Sequence, residues 1–117
     1  MHILVVDDEE MVLQAARMTL EYYGYKVTAC TTGMEALKLF KAGHFDAVIT
    51  DYKMPEIKGD ELAARVKEIR ATCPVIMVTA HADMLDADTV KHMSSVLPKP
   101  FEPQKLRDAL VASLRRE

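Results

Sequence analysis

The sequence predicts an α/β protein built on a doubly wound, five-stranded parallel sheet, and three observations carry that prediction. Short apolar runs rich in β-branched residues alternate with longer stretches of helical period, with turn residues between them. The first run, Ile3 to Val6, is apolar throughout, as a parallel strand buried on both faces must be. Parallel strands also require right-handed crossovers, and alternate helices then cover both faces of an open sheet.

The elements follow in order. The strand Ile3 to Val6 stops at Asp7 and Asp8, and from Glu9 to Tyr23 the residues Val12, Leu13, Ala16, Leu20 and Tyr23 share one helical stripe. Gly24 supplies a left-handed stop. Lys26 to Cys30 is a second strand, after which Thr31 or Thr32 caps a helix that turns Ala36, Leu37 and Phe40 inward and ends at Gly43. Ala47 to Thr50 is the third strand and delivers Asp51; beyond a turn holding Pro55 and Gly59, a helix buries Leu62, Val66 and Ile69. Val75 to Val78 is the fourth strand, closing at Thr79. A weaker helical pattern from about Leu85 to Met93 leads to a short fifth strand, Ser95 to Leu97, and Lys99 then stands between two prolines. The last helix, about Glu102 to Arg115, places Leu106, Ala109, Leu110, Ser113 and Leu114 on one face and keeps its arginines near its C-terminus. Arg115, Arg116 and Glu117 are the residues that would begin a linker.

Composition narrows the function. The chain of 117 residues, 50% apolar and 28% charged, has the size and balance of one domain spanning 1–117, with a core that needs no cross-links. Fifteen Lys and Arg against 18 Asp and Glu give a net charge of −3, which argues against direct binding of nucleic acid. Cys30 and Cys73 form neither a disulfide framework nor a zinc pattern, so a reducing, cytoplasmic setting is expected. Apolar runs no longer than four residues exclude a membrane-spanning helix, and no signal-peptide core precedes the first charges.

Asp7, Asp8, Asp51, Thr79 and Lys99 all fall just past strand C-termini, the edge where such sheets bind ligands. Singly they read as a helix cap, a turn starter and a loop cation. Together, acid, acid, acid, hydroxyl and amine make a coherent phosphate-and-metal site. His2, His44, His81 and His92 show no ligand spacing, and the methionines are scattered, with Met54 and Met77 suited to packing.

With ILVVDDEE at the start, DYKMPEIKG around Asp51, VTAHAD around Thr79 and LPKPF around Lys99, the whole chain resembles the receiver domain of two-component response regulators, the CheY-like family. The resemblance implies a flavodoxin-like sheet of order 2-1-3-4-5. It implies phosphorylation of Asp51 by a histidine kinase or phosphotransfer protein, with Mg²⁺ bound by Asp8, Asp51 and the backbone carbonyl of Lys53 while Asp7 orients metal-bound water. Mg²⁺ is a hard cation that takes about six oxygen ligands, and it cancels repulsion between a carboxylate nucleophile and a phosphoryl group. Lys99 would meet one phosphoryl oxygen and Thr79 another. The Lys99–Pro100 bond resembles one the family commonly holds cis. Such a domain is not an enzyme in the multiple-turnover sense; it catalyses its own phosphorylation and its own reset, switching contacts with an output protein or effector domain.

Some positions depart from the family pattern. Val96 stands where an aromatic residue is common, which removes the carrier of a Thr-coupled rotamer switch. The segment from Thr79 to Lys99 lacks the common Gly-Ala pair and is about two residues short, which alters the fourth helix and a surface, including Met84, His92, Met93 and Val96, that commonly contacts partners. Lys53 and His81 occupy the two positions that commonly tune the phosphoryl lifetime in the family the chain resembles. A phosphorylation-dependent homodimer is a further expectation. Three rivals differ in class: a pseudo-receiver that only docks partners, an aspartyl-nucleophile phosphohydrolase, whose D-x-D is absent after the first strand, and a flavin carrier, whose phosphate three acids would repel.

Overall fold

The computed structural model describes residues 1–115. Strands β1 (His2–Val6), β2 (Lys26–Cys30), β3 (Ala47–Thr50), β4 (Val75–Thr79) and β5 (Ser95–Pro98) alternate with helices. These are α1 (Glu10–Tyr22), α2 (Gly33–Ala42), α3 (Gly59–Ile69), α4 (Ala87–Val90) and α5 (Pro103–Leu114), with one 3₁₀ turn, Ala82–Met84, before α4. Every pairing is parallel and the order is β2-β1-β3-β4-β5, the expected doubly wound sheet.

Successive strand residues point to opposite faces, and the two cores divide accordingly. Ile3 and Val5 of β1 join Leu13, Ala16 and Leu20 of α1 and Leu106 and Leu110 of α5 on one side. Leu4 and Val6 join Ala36, Leu37 and Phe40 of α2 and Leu62, Ala63 and Val66 of α3 on the other. Each fully buried Leu or Val contributes about 1.5–3 kcal/mol, so the central strands are pinned from both sides. Val6 stands beside Cys30 and Thr50, Thr50 beside Met77, and Thr79 beside Pro98. That register brings the four chain exits after β1, β3, β4 and β5 to one edge.

Local chemistry sets several boundaries. Thr32, not Thr31, caps α2, its hydroxyl accepting the Glu35 N–H at 3.1 Å. Gly24 takes φ +93° after α1, and Pro103 opens α5. On α1 the buried residues are Leu13, Ala16 and Leu20, with Val12 and Tyr23 only half-buried.

Two expectations need correction. The helix expected from Leu85 to Met93 shrinks to Ala87–Val90 with no buried residue. Leu85 and Val90 stand about 140° apart around a helix and form no stripe, while Asp86 starts the helix by accepting the Thr89 N–H at 2.8 Å. Ile69, expected inside, is 45% exposed, and with Leu37 and Lys41 of α2 it lines an open groove between the two helices. The last helix runs Pro103–Leu114 between Glu102 at its N-cap and Arg115 at its C-cap, within a residue of the expected bounds. Arg116 and Glu117, expected to begin a linker, lie outside the described residues.

One polar anchor fixes the start of β1. The Asp46 carboxylate accepts the His2 backbone N–H at 2.8 Å while the Asp46 N–H donates to the His2 carbonyl at 2.8 Å. That hydrogen bond from His2 holds the Asp46 carboxyl below the ordinary carboxylate range, against the opposing effect of burial. The contribution is therefore complete above the unfolded pKa of about 4 and disappears as pH falls through the lower folded value. Asp46→Asn lowers the unfolding free energy by about 0.5–1 kcal/mol at pH 7, and the gap closes at a pH well below the ordinary carboxylate range. Urea unfolding at both pH values measures it; a gap that persists in acid contradicts the assignment.

Candidate functional site

The chain leaves β1, crosses to β2 on one side and returns to β3 on the other, so the order reverses between β1 and β3. Such a switch point opens a crevice at the strand C-termini. Asp7 and Asp8 follow β1 into it and Asp51 follows β3, the Asp51 N–H donating to the Val6 carbonyl at 3.0 Å. Asp7 and Asp51 are buried; Asp8 is exposed at the mouth. Backbone donors orient the two buried acids: Asp7 Oδ1 accepts from the Glu9 N–H at 2.9 Å, and Asp51 Oδ1 from the Tyr52 N–H at 2.7 Å.

The loop after β3 is tight enough to fix Asp51. The Gly59 N–H donates to the Tyr52 carbonyl at 2.8 Å, and a Cβ on Gly59 would overlap the Asp51 carbonyl oxygen. Only glycine fits that close approach. Glu56, in the same loop, holds φ +71°, a left-handed conformation that costs a non-glycine residue about 1 kcal/mol, and the buried Ile57 beside it secures the turn.

Lys99 enters from β5. Its backbone N–H donates to the Thr79 carbonyl at 2.9 Å, the Lys99–Pro100 peptide is cis, and its side chain is only 9% exposed. The ammonium meets Asp7 Oδ2 at 2.9 Å, Asp51 Oδ2 at 3.0 Å and Glu9 Oε1 at 2.8 Å. Burial works to lower the Lys99 pKa, but the hydrogen bonds to Glu9, Asp7 and Asp51 outweigh it and hold the ammonium above the ordinary lysine range. Burial raises the Asp7 carboxyl, only partly countered by the Glu9 N–H and Lys99, while Lys99 lowers the exposed Glu9 carboxyl. Thr79, fully buried at the end of β4, accepts the His81 N–H on its hydroxyl at 3.3 Å.

The crevice thus unites Asp7, Asp8, Asp51, Thr79 and Lys99, and Lys53 and His81 stand on the rim of the 470 Å³ opening above them. Val96 lies instead within β5, opposite Met77, and Met84, His92 and Met93 belong to the segment around α4. His44 pairs with Asp46 at 3.5 Å and His2 meets the Thr28 hydroxyl at 2.6 Å, away from the acids. Met54 and Met77 are buried. The residue sequence reasoning missed is Glu9: it lies inside the ILVVDDEE run, but its role depends on Lys99, 90 positions away.

Carboxylate oxygens of Asp7, Asp8 and Asp51 lie within 4.8 Å of one another. This hard, anionic donor set fits a divalent cation of the Mg²⁺ kind. The Lys99 ammonium is the protein's own counter-charge to these acids. Replacing it with methionine leaves two buried acids unpaired, and Lys99→Met is expected to lose about 3 kcal/mol of unfolding free energy at pH 7 in metal-free buffer. Chemical denaturation at pH 7 and pH 4 checks this: the loss narrows in acid, where the freed carboxylates take up protons, and an unchanged stability at pH 7 contradicts the pairing.

Comparison with known proteins agrees with the geometry. The family model of the response regulator receiver domain matches residues 3–111. Response regulator SaeR of Staphylococcus epidermidis is 35% identical over 109 residues, 90% of this chain and 46% of the relative. The chain spans about half the length of the curated relatives it matches. A CheY-like receiver domain protein from Methanospirillum hungatei superposes with a TM-score of 0.92 at 27% identity, covering 98% of this chain and 94% of that one. Response regulator TrrA of Thermotoga maritima, solved in complex with Mg²⁺ and BeF, gives 0.90 at 29% identity over 96% and 97% of the two chains. Fold, acidic crevice and family match coincide, and the chain belongs to the receiver domains of two-component response regulators.

Proposed function

We propose that the chain, as one receiver domain, is a phosphorylation switch that accepts a phosphoryl group on Asp51 from a histidine kinase or phosphotransfer protein in a Mg²⁺-dependent reaction. The observation that carries this is the buried Asp51 carboxylate, held by the Tyr52 N–H and facing both Lys99 and the other acids of the cluster. Asp8, Asp51 and the Lys53 backbone carbonyl would hold the ion, with Asp7 behind them; the bound cation supplies charge neutralisation between carboxylate and phosphoryl group.

A carboxylate oxygen of Asp51 attacks phosphorus; the new P–O bond forms as the donor's P–N bond breaks, and that electron pair leaves with the imidazole. Lys99 already stands 3.0 Å from the nucleophilic carboxylate, so its ammonium meets the arriving oxygens without a large movement. Thr79 offers its hydroxyl to another oxygen. Water later cleaves the acyl phosphate, releasing phosphate and restoring the carboxylate, so the domain turns over only itself. The segment around α4 with β5, carrying Met84, His92, Met93 and Val96, is the surface through which the change would reach an output partner or a second copy.

Incubation with Mg²⁺ and a small acyl-phosphate donor is expected to give a transient phosphoryl gain in intact mass for wild type and none for Asp51→Asn. A folded wild type that never gains mass would leave the docking-only pseudo-receiver as the better reading. Lys53 and His81 line the opening over Asp51, so Lys53→Ala or His81→Ala is expected to change the decay time of the phosphorylated protein by altering the access of water. Unchanged decay in both variants defeats that role.

A further inference from the structure

Glu9 carries an interaction that its place in the chain does not call for. It is the N-cap residue of α1, yet its side chain caps no helix N–H. The carboxylate reaches instead across the crevice to Lys99 Nζ at 2.8 Å, the shortest of the three contacts that ammonium makes. A lysine ammonium has three donors, and here it is hydrogen-bonded to Glu9 and Asp51 and ion-paired with Asp7 at 2.9 Å. An arriving phosphoryl oxygen therefore meets an ammonium already surrounded by three carboxylates within 3.0 Å and competes with them for it.

The three carboxylates differ in how readily they let go. Asp7 and Asp51 are buried and each is tied down by a backbone N–H. The Glu9 side chain is 62% exposed, and among the described residues no second hydrogen bond holds its carboxylate. Released, it returns to water with almost no desolvation cost, whereas either buried acid would be left without its counter-charge.

We propose that Glu9 is a positioning residue that competes with the phosphoryl group for Lys99, occupying the ammonium in the unmodified protein and yielding it as Asp51 is phosphorylated. The proposal rests on the phosphoacceptor reading of Asp51 and adds a built-in brake to it: the resting contact holds back the cation that the transferring group needs, and its negative charge opposes an anionic donor.

The test uses the full chain and Glu9→Gln, a change of equal size at an exposed position. With Mg²⁺ and a small acyl-phosphate donor, intact mass followed over a range of donor concentrations should show Glu9→Gln gaining phosphoryl about three- to tenfold faster than wild type. The ζ-ammonium resonance of Lys99 in ¹⁵N-lysine-labelled, metal-free protein reads the contact without any transfer, and it should move in the variant. Equal rates for the two proteins, or an unmoved resonance, overturn the role of Glu9 while leaving Asp51 as the acceptor. A wild type that takes up no phosphoryl overturns the acceptor reading itself, and the competition with it.

Discussion

Two buried carboxylates and a third at the mouth cannot share one crevice without a cation, and Lys99 is the cation this chain places there. Like charges about 4 Å apart at an effective dielectric near 20 repel by roughly 4 kcal/mol, a large share of a small domain's stability. The Lys99 ammonium, within 3.0 Å of Asp7, Asp51 and Glu9, offsets that repulsion. Lys99 reaches the acids only because β5 lies beside β4 and its chain exit is tied by the bond from the Lys99 N–H to the Thr79 carbonyl. The far edge of the sheet is thus coupled to its centre through one side chain.

The topology makes the rest of the site rigid. β1 and β3 are central strands with helices on both faces, and the acids at their ends inherit that immobility. Gly59 against the Asp51 carbonyl and the left-handed Glu56 keep the following loop from relaxing away. Charge neutralisation by fixed groups stabilises a transferring phosphoryl without reorganisation at the moment of reaction. The same rigidity makes Asp7 and Asp51 poor candidates for movement and concentrates freedom on exposed Glu9.

What was legible in the sequence follows from how locally each feature is determined. Ile3 to Val6 announces a strand buried on both faces, and its stop at Asp7 and Asp8 announces the crevice, because strand ends and apolar runs need only neighbouring residues. Lys99 and Thr79 were legible because topology returns every strand end to one edge. Ile69 was misplaced because periodicity says which way a residue faces, not whether anything covers it. The segment around α4 misled for a related reason: its apolar residues form no stripe, and a four-residue helix with no buried side chain draws little stability from packing. Glu9 was invisible because an acid at a helix N-cap has a good local explanation, and the structure discards it for a partner 90 positions away.

That division between fixed and loose parts bears on how a modification at Asp51 would be read out. A switch needs an element of low local stability, and the segment from Ala80 to Ser94 is the least buried stretch beside the site. Val96 offers no ring to turn between buried and exposed positions, so coupling through a rotating aromatic side chain at that place is absent. Thr79 stands at the start of that segment, its hydroxyl accepting the His81 N–H just before the 3₁₀ turn of Ala82–Met84. A hydroxyl that turns to a phosphoryl oxygen gives up or reshapes that bond, at the point where the rigid sheet hands the chain to its weakest segment. Were Asp51 to take a phosphoryl group, chemistry at the centre of the sheet would meet the weakest segment at that residue, without any repacking of the core.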